Sequence, residues 1–149
     1  MGRTNLAESS FELWRLIGRV NHAILLRRQR ELRQHRIPVR QLHVLGAIKD
    51  LGPRATLSEV AKLVEREPNV ISMQTTTMEK DGLINRVKNT PKSNLLKLEL
   101  TDKALDLIEV SRKSKSIDVI FSSLSEKERR QLESTLHKVL TKAQKYSSV

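Results

Sequence analysis

Residues 68–87 read PNVISMQTTTMEKDGLINRV. Pro68 suits the first turn of a helix, where its missing N–H would have had no intrahelical partner anyway. Asp81-Gly82 marks the end of that helix, because glycine takes the left-handed conformation that commonly terminates one. Leu83 to Val87 then reads as a short strand. Between these limits Ile71, Thr75 and Met78 recur at spacings of four and three and so share one side. Asn69, Val70, Ser72, Met73, Thr76, Thr77 and Lys80 point more outward, with Gln74 near the boundary. This outer face is polar yet almost uncharged, which is unusual for an ordinary solvated helix surface.

On the N-terminal side, Thr56-Leu57-Ser58-Glu59 has the spacing of a capping box and opens a short third helix through about Val64. Ile37-Pro38 interrupts an earlier helical pattern and places Pro38 in the first turn of a second helix. That helix carries Val39, Leu42, Leu45 and Ile48 as core positions and ends at Leu51-Gly52-Pro53. A long first helix covers about Glu8 to Gln34, with Leu13, Ile17, Val20 and Ile24 on one face. Its arginines at 15, 19, 27, 28, 30 and 33 read as a solvated surface.

On the C-terminal side, Leu95 to Leu100 alternates apolar and charged residues as a second strand. The intervening segment from Lys88 to Asn94 is polar, basic and rich in turn formers, and reads as an exposed hairpin loop. Thr101 is the expected N-cap of a fifth helix carrying Ala104, Leu105 and Ile108 and running on through the polar stretch Arg112 to Ser116. Ser125-Glu126-Lys127-Glu128 is a second capping box, opening a sixth helix with Leu132, Leu136, Val139 and Leu140 on one face.

The sum is a mainly α chain of six helices with a small β-hairpin wing, in the order of a winged helix-turn-helix. Such a motif sets its second helix in the major groove and lets the hairpin loop reach the backbone or minor groove. The expected organisation is one domain over 1–149. Residues 37–100 form the winged lobe, and residues 1–36 and 101–149 supply dimerisation helices.

Composition narrows the partner. The 149 residues hold 28 Lys+Arg against 17 Asp+Glu, a formal charge of +11 that favours a polyanion. No apolar run approaches the roughly 18 to 20 residues needed to span a bilayer, so no membrane partner is expected. The opening MGRTNLAESS has no signal-peptide character, and cysteine is absent, which together imply a cytoplasmic address and exclude thiolate metal sites and thiol nucleophiles. Four aromatic residues, Phe11, Trp14, Phe121 and Tyr146, are too few and scattered for a base-stacking platform. Double-stranded DNA is therefore the expected partner. His22, His35, His43 and His137 show no metal-ligand spacing, and no glycine-rich phosphate loop is present. No enzyme activity and no cofactor are expected.

The candidate DNA-contacting residues follow from side-chain chemistry. Asn69 and Gln74 suit bidentate pairing with adenine, Ser72, Thr76 and Thr77 suit bases or phosphates, and Val70 or a threonine methyl suits thymine. Met73 and Lys80 lie on the same outer face. Thr56 and Pro68, at the starts of the third and fourth helices, join them. Lys88, Lys92, Ser93 and Asn94 form the wing contribution, the lysines binding phosphate.

Met78-Glu79-Lys80-Asp81-Gly82-Leu83-Ile84-Asn85-Arg86 resembles the Leu-Glu-x-x-Gly-Leu-Ile-x-Arg that ends the recognition helix in the MarR family of bacterial regulators. Leu98-Glu99-Leu100-Thr101 and Val60-Ala61 also match that family, so the resemblance covers nearly the whole chain. Three departures stand out. Lys92-Ser93-Asn94 replaces the usual Asp-Arg-Arg of the wing, Met73 occupies a position where arginine is common, and Glu65-Arg66-Glu67 replaces Gly-apolar-Ser/Thr in the turn. Arginine readout of guanine by residue 73 is accordingly not expected.

The resemblance implies a homodimer formed by the first helix and the last two, binding a near-palindromic operator with half-sites roughly 10 base pairs apart. It also implies repression, and a small-molecule effector of unidentified chemistry that alters the spacing of the two recognition helices. The alternative reading is a nonspecific architectural protein, whose affinity would depend steeply on salt and weakly on sequence.

Overall fold

The computed structural model describes residues 5–88 and 90–146. Asn89, at the start of the expected wing loop, lies outside the described residues. The elements run α1 (Leu6–Arg33), α2 (Val39–Leu51), a single 3-10 turn (Gly52–Arg54), α3 (Leu57–Leu63), α4 (Pro68–Lys80), β1 (Ile84–Lys88), β2 (Leu96–Leu100), α5 (Asp102–Arg112), α6 (Lys115–Phe121) and α7 (Glu126–Lys145). The fold class is that read from the sequence: mainly helical, with one antiparallel two-stranded sheet. The chain divides into two compact units between Ser114 and Lys115.

Three helices of the first unit end in the same way. After α4, Gly82 turns left-handed at φ 74°, its N–H bonds the Glu79 carbonyl at 3.0 Å, and the Leu83 N–H bonds the Met78 carbonyl at 2.9 Å. This is a Schellman closure, and it supplies partners to carbonyls that the helix leaves open. It also explains why β1 begins at Ile84 rather than Leu83, since the Leu83 donor is already used. After α1, Arg36 (φ 55°) takes the glycine's place, with Ile37 N–H on the Leu32 carbonyl at 3.2 Å. After α3, Glu65 (φ 53°) does the same, with Arg66 N–H on the Ala61 carbonyl at 2.9 Å. Pro38, expected in the first turn of α2, is extended and sits at its N-cap, with ψ 122°.

The hairpin pairs Ile84 with Leu100 through to Lys88 with Leu96. Leu95 stays out of β2 because its N–H turns to the Ser93 hydroxyl at 3.1 Å. Thr56 bridges Lys97, and the Leu98 N–H bonds the Ala55 carbonyl at 2.8 Å, so the chain before α3 lines the free edge of β2.

The core of this unit is built on α2, whose Leu42, Val44, Leu45, Ala47 and Ile48 are all buried. Val60 and Ala61 from α3, Ile71, Thr75 and Met78 from α4, Ile84 and Leu98 from the hairpin, and Ala104 and Ile108 from α5 close around it. The core thus draws on residues beyond 37–100, including Leu32 at the end of α1.

Two local expectations change. The fifth helix is not continuous through Arg112 to Ser116: α5 stops at Arg112 and α6 starts at Lys115, giving seven α-helices among the described residues. In an unbroken helix the Ser111 carbonyl would accept from the backbone four residues on. Here it accepts from the Arg28 guanidinium at 3.3 Å, while the Ser114 hydroxyl donates to the Glu31 carboxylate. Side chains of α1 therefore bond to residues on the α5 side of the break and within it. The capping box at α3 is only half formed. The Glu59 N–H bonds the Thr56 hydroxyl at 3.2 Å, but the Thr56 N–H is taken by the Arg54 carbonyl at 2.9 Å, leaving nothing for the Glu59 carboxylate to accept. The box at Ser125 and Glu128 is complete.

Along α1 the apolar side chains Phe11, Leu13, Trp14, Ile17 and Val20 are exposed, with Leu13 60% accessible. Within the second unit, Leu132, Leu136, Val139 and Leu140 of α7 are likewise exposed, and Phe121 and Leu124 share one small hollow with Leu132 and Leu136.

Candidate nucleic-acid interface

Helix α4 is the centre of the candidate site. Its inner side, Ile71, Thr75 and Met78, is fully buried and fixes the rotation of the helix about its axis. With that rotation set, Pro68, Asn69, Val70, Met73, Thr77 and Lys80 are exposed, and Ser72, Gln74 and Thr76 are half-buried. Met73 is 73% accessible, the furthest out of the helix's apolar residues. The N-terminal end carries Glu67 at the N-cap, which makes no side-chain capping bond. The Asn69 carbonyl oxygen Oδ1 accepts from the Val70 N–H at 2.9 Å, and its amide NH2 donates to nothing among the described residues.

Strand β1 holds the other flank of α4 in place. The Arg86 N–H donates to Glu79 Oε2 at 2.8 Å, and the Arg86 guanidinium donates through Nη1 to Thr76 Oγ1 at 2.6 Å and through Nη2 to Ser72 Oγ at 3.5 Å. Its Nε–H is buried without a partner among the described residues. A single strand residue thus ties the wing to two of the hydroxyls expected to meet DNA. Arg86 was not among the expected site residues. The Gly-Leu-Ile-x-Arg match was its only trace in the sequence, because the bond to residues 10 and 14 positions away depends on where β1 lies against α4.

The remaining expected residues are more scattered. Thr56 is half-buried at the head of α3, its hydroxyl engaged with the Glu59 N–H and 3.3 Å from the Ser58 hydroxyl. Lys88, Lys92 and Asn94 are exposed on the hairpin and Ser93 is half-buried, its N–H turned to the Thr90 carbonyl at 3.0 Å. No hydrogen bond joins these four to α4 among the described residues. Asp81, at the end of α4, accepts from Gln41 Nε2 at 3.2 Å and, through its carbonyl, from Lys103 Nζ at 2.8 Å, so α2 and α5 hold the C-terminal end of the helix.

A cavity of about 550 Å³ opens in the same unit among α1, α2, α3 and α5. Ile24, Leu25, Val39 and Ile108 give it an apolar wall, and Arg28 and His43 add polar groups. Among the described residues no three or more His, Asp or Glu side chains lie together as a metal site, and no helix is long and apolar enough to cross a membrane.

No family model and no curated protein matches the sequence. Solved structures do. The organohalide-sensing transcriptional regulator RdhR, solved with 2,4-dichlorophenol bound, superposes with a TM-score of 0.80 at 23% identity, covering 100% of this chain and 97% of its own. The MepR–DNA complex of S. aureus matches with a TM-score of 0.74 at 25% identity, over 85% of this chain and 95% of that one. A mutant of E. coli MarR complexed with operator DNA gives 0.79 at 21% identity, over 92% and 99%. The resemblance first carried by residues 78–86 therefore holds in three dimensions, and the chain has the winged helix-turn-helix fold of the MarR-family regulators.

Proposed function

We propose that the chain is a sequence-specific duplex-DNA-binding transcriptional regulator. It acts as a homodimer through α1 and the C-terminal helices, places two copies of α4 in successive major grooves of a pseudo-palindromic operator, and represses by occupying the promoter. The observation that carries the reading is the solvent side of α4: polar, nearly uncharged, fixed in rotation by a fully buried inner side and clasped to the wing strand by Arg86. Such a face suits hydrogen bonding to base edges, while the +11 charge of the chain supplies the long-range attraction to phosphate. MepR and MarR have each been solved on DNA, which supports the same reading.

Asn69, Gln74 and Ser72 carry the base contacts in this reading, and Lys80, Lys88 and Lys92 the phosphate contacts. The exposed apolar faces of α1 and α7 supply the dimer interface, since a two-fold partner would bury both. The 550 Å³ cavity is the place for a small, largely apolar effector, which shifts DNA affinity to the extent that it favours one spacing of the two α4 helices.

The test is selection of bound duplexes from a random library at physiological salt, followed by titration of the winner against scrambled DNA. An enriched inverted repeat bound about a thousandfold more tightly is expected. Lys92→Ala should weaken all sequences alike and reduce the salt slope by about one. Indiscriminate binding with steep salt dependence would replace this reading with the architectural one.

A further inference from the structure

The hydroxyl groups on α4 are not equivalent, and Arg86 is what distinguishes them. Thr75 and Thr76 each donate to the Ser72 carbonyl, at 3.0 and 2.9 Å, and Thr77 donates to the Met73 carbonyl at 3.4 Å. Each threonine has spent its one proton inside the helix. The Ser72 hydroxyl donates to nothing among the described residues, yet it faces the Arg86 guanidinium at 3.5 Å. A guanidinium has only donors to offer, so a lone pair of Ser72 Oγ must turn toward it and the hydroxyl proton must point elsewhere. Thr76 Oγ1, accepting from the same guanidinium at 2.6 Å, links Arg86 to the helix.

We propose that Arg86 is a specificity-positioning residue. It turns the Ser72 hydroxyl outward as a dedicated donor to an acceptor atom on a DNA base, and keeps the Thr76 hydroxyl as an internal link with no proton left to give to DNA. This rests on the DNA-reading function assigned to α4 and narrows it, because of the hydroxyl side chains on the helix only Ser72 retains a proton to give. The acceptors available in the major groove are guanine N7 and O6, adenine N7 and thymine O4. Met73, which replaces the arginine common at that position, offers no competing donor.

Library selection on the full-length wild type and on Ser72→Ala, Thr76→Val and Arg86→Lys tests the assignment. Ser72→Ala should lower the preference at one base position per half-site about tenfold and leave the other positions unchanged. Thr76→Val, which removes the shorter of the two bonds that hold Arg86, should reduce preference only at the position lost in Ser72→Ala and at no position of its own. Arg86→Lys, which cannot reach both hydroxyls as a fork, should reduce preference at the position lost in Ser72→Ala, and the double variant should lose no more than Ser72→Ala alone. A positioning role predicts that non-additivity, whereas a merely structural role for Arg86 would lower affinity across all positions. If Arg86→Lys is unfolded by circular dichroism, the Ser72 and Thr76 variants still decide. A preference altered by Thr76→Val but not by Ser72→Ala overturns the inference, as does a uniform loss in Ser72→Ala, which would make the acceptor a phosphate. In either case an enriched wild-type repeat leaves the function standing. Absence of any enriched repeat with the wild type removes the function and this inference together.

Discussion

The buried heart of the first unit and the exposed faces of the terminal helices use the same residue types to opposite ends. Leu45, Val60 and Ile71 are fully buried by their own chain, whereas Leu13, Trp14 and Val20 on α1 and Val139 on α7 remain largely open to solvent. A monomer rarely keeps apolar side chains aligned on one face of each of two long helices without a partner for them. The core under α4 is thus closed by its own chain, and the open faces of α1 and α7 are the surfaces proposed above to meet a second copy.

Two substitutions should pull these regions apart. Ile71→Ala removes a fully buried side chain under α4 and should lower stability by about 2–5 kcal/mol, since the cavity adds to the lost burial. Denaturant unfolding should show the full loss at every protein concentration. Ile17→Asp places a charge on the open face of α1 and should weaken self-association at least about a hundredfold, roughly 2.7 kcal/mol, with the helical circular dichroism of the lobe retained. Sedimentation equilibrium reads this directly. A dimer of unchanged strength would remove α1 from the interface, and the comparison between the two regions would fail with it.

Much of this was legible in the sequence because it depends on neighbours along the chain. The burial of Ile71, Thr75 and Met78, the left-handed Gly82, the N-cap at Thr101 and the capping box at Ser125 all follow from spacings of a few residues. What was not legible depends on groups brought from far away. The break between α5 and α6 uses Arg28 and Glu31, each 83 residues from its partner, so periodicity within 102–121 contains no sign of it. The Thr56 capping box looked complete because the competing Arg54 carbonyl arrives only through the 3-10 turn. The candidate site shows the same division: its residues were readable as an outward face, but the allotment of their protons needed the position of Arg86.

The smallest expected effect is inside the lobe, where two left-handed turns flank α4. Gly82 after α4 has no Cβ, while Glu65 before it holds φ 53° with one. For an L-residue that conformation costs roughly 1–2 kcal/mol, and glycine avoids it while losing about 0.5–1 kcal/mol of chain entropy on folding. Glu65→Gly should therefore stabilise the fold by up to about 1 kcal/mol, a rise in Tm of roughly 2–4 °C for a chain of this size. Glu65→Ala is the control. It removes the same carboxylate but keeps the Cβ, so it should give no gain. An equal rise in both variants would mean that the charge of Glu65, and not its backbone, sets the cost of the turn, and no rise in either would mean that the turn costs nothing. A gain confined to glycine would show that the turn between α3 and α4 keeps its Schellman geometry against the preference of its own residue.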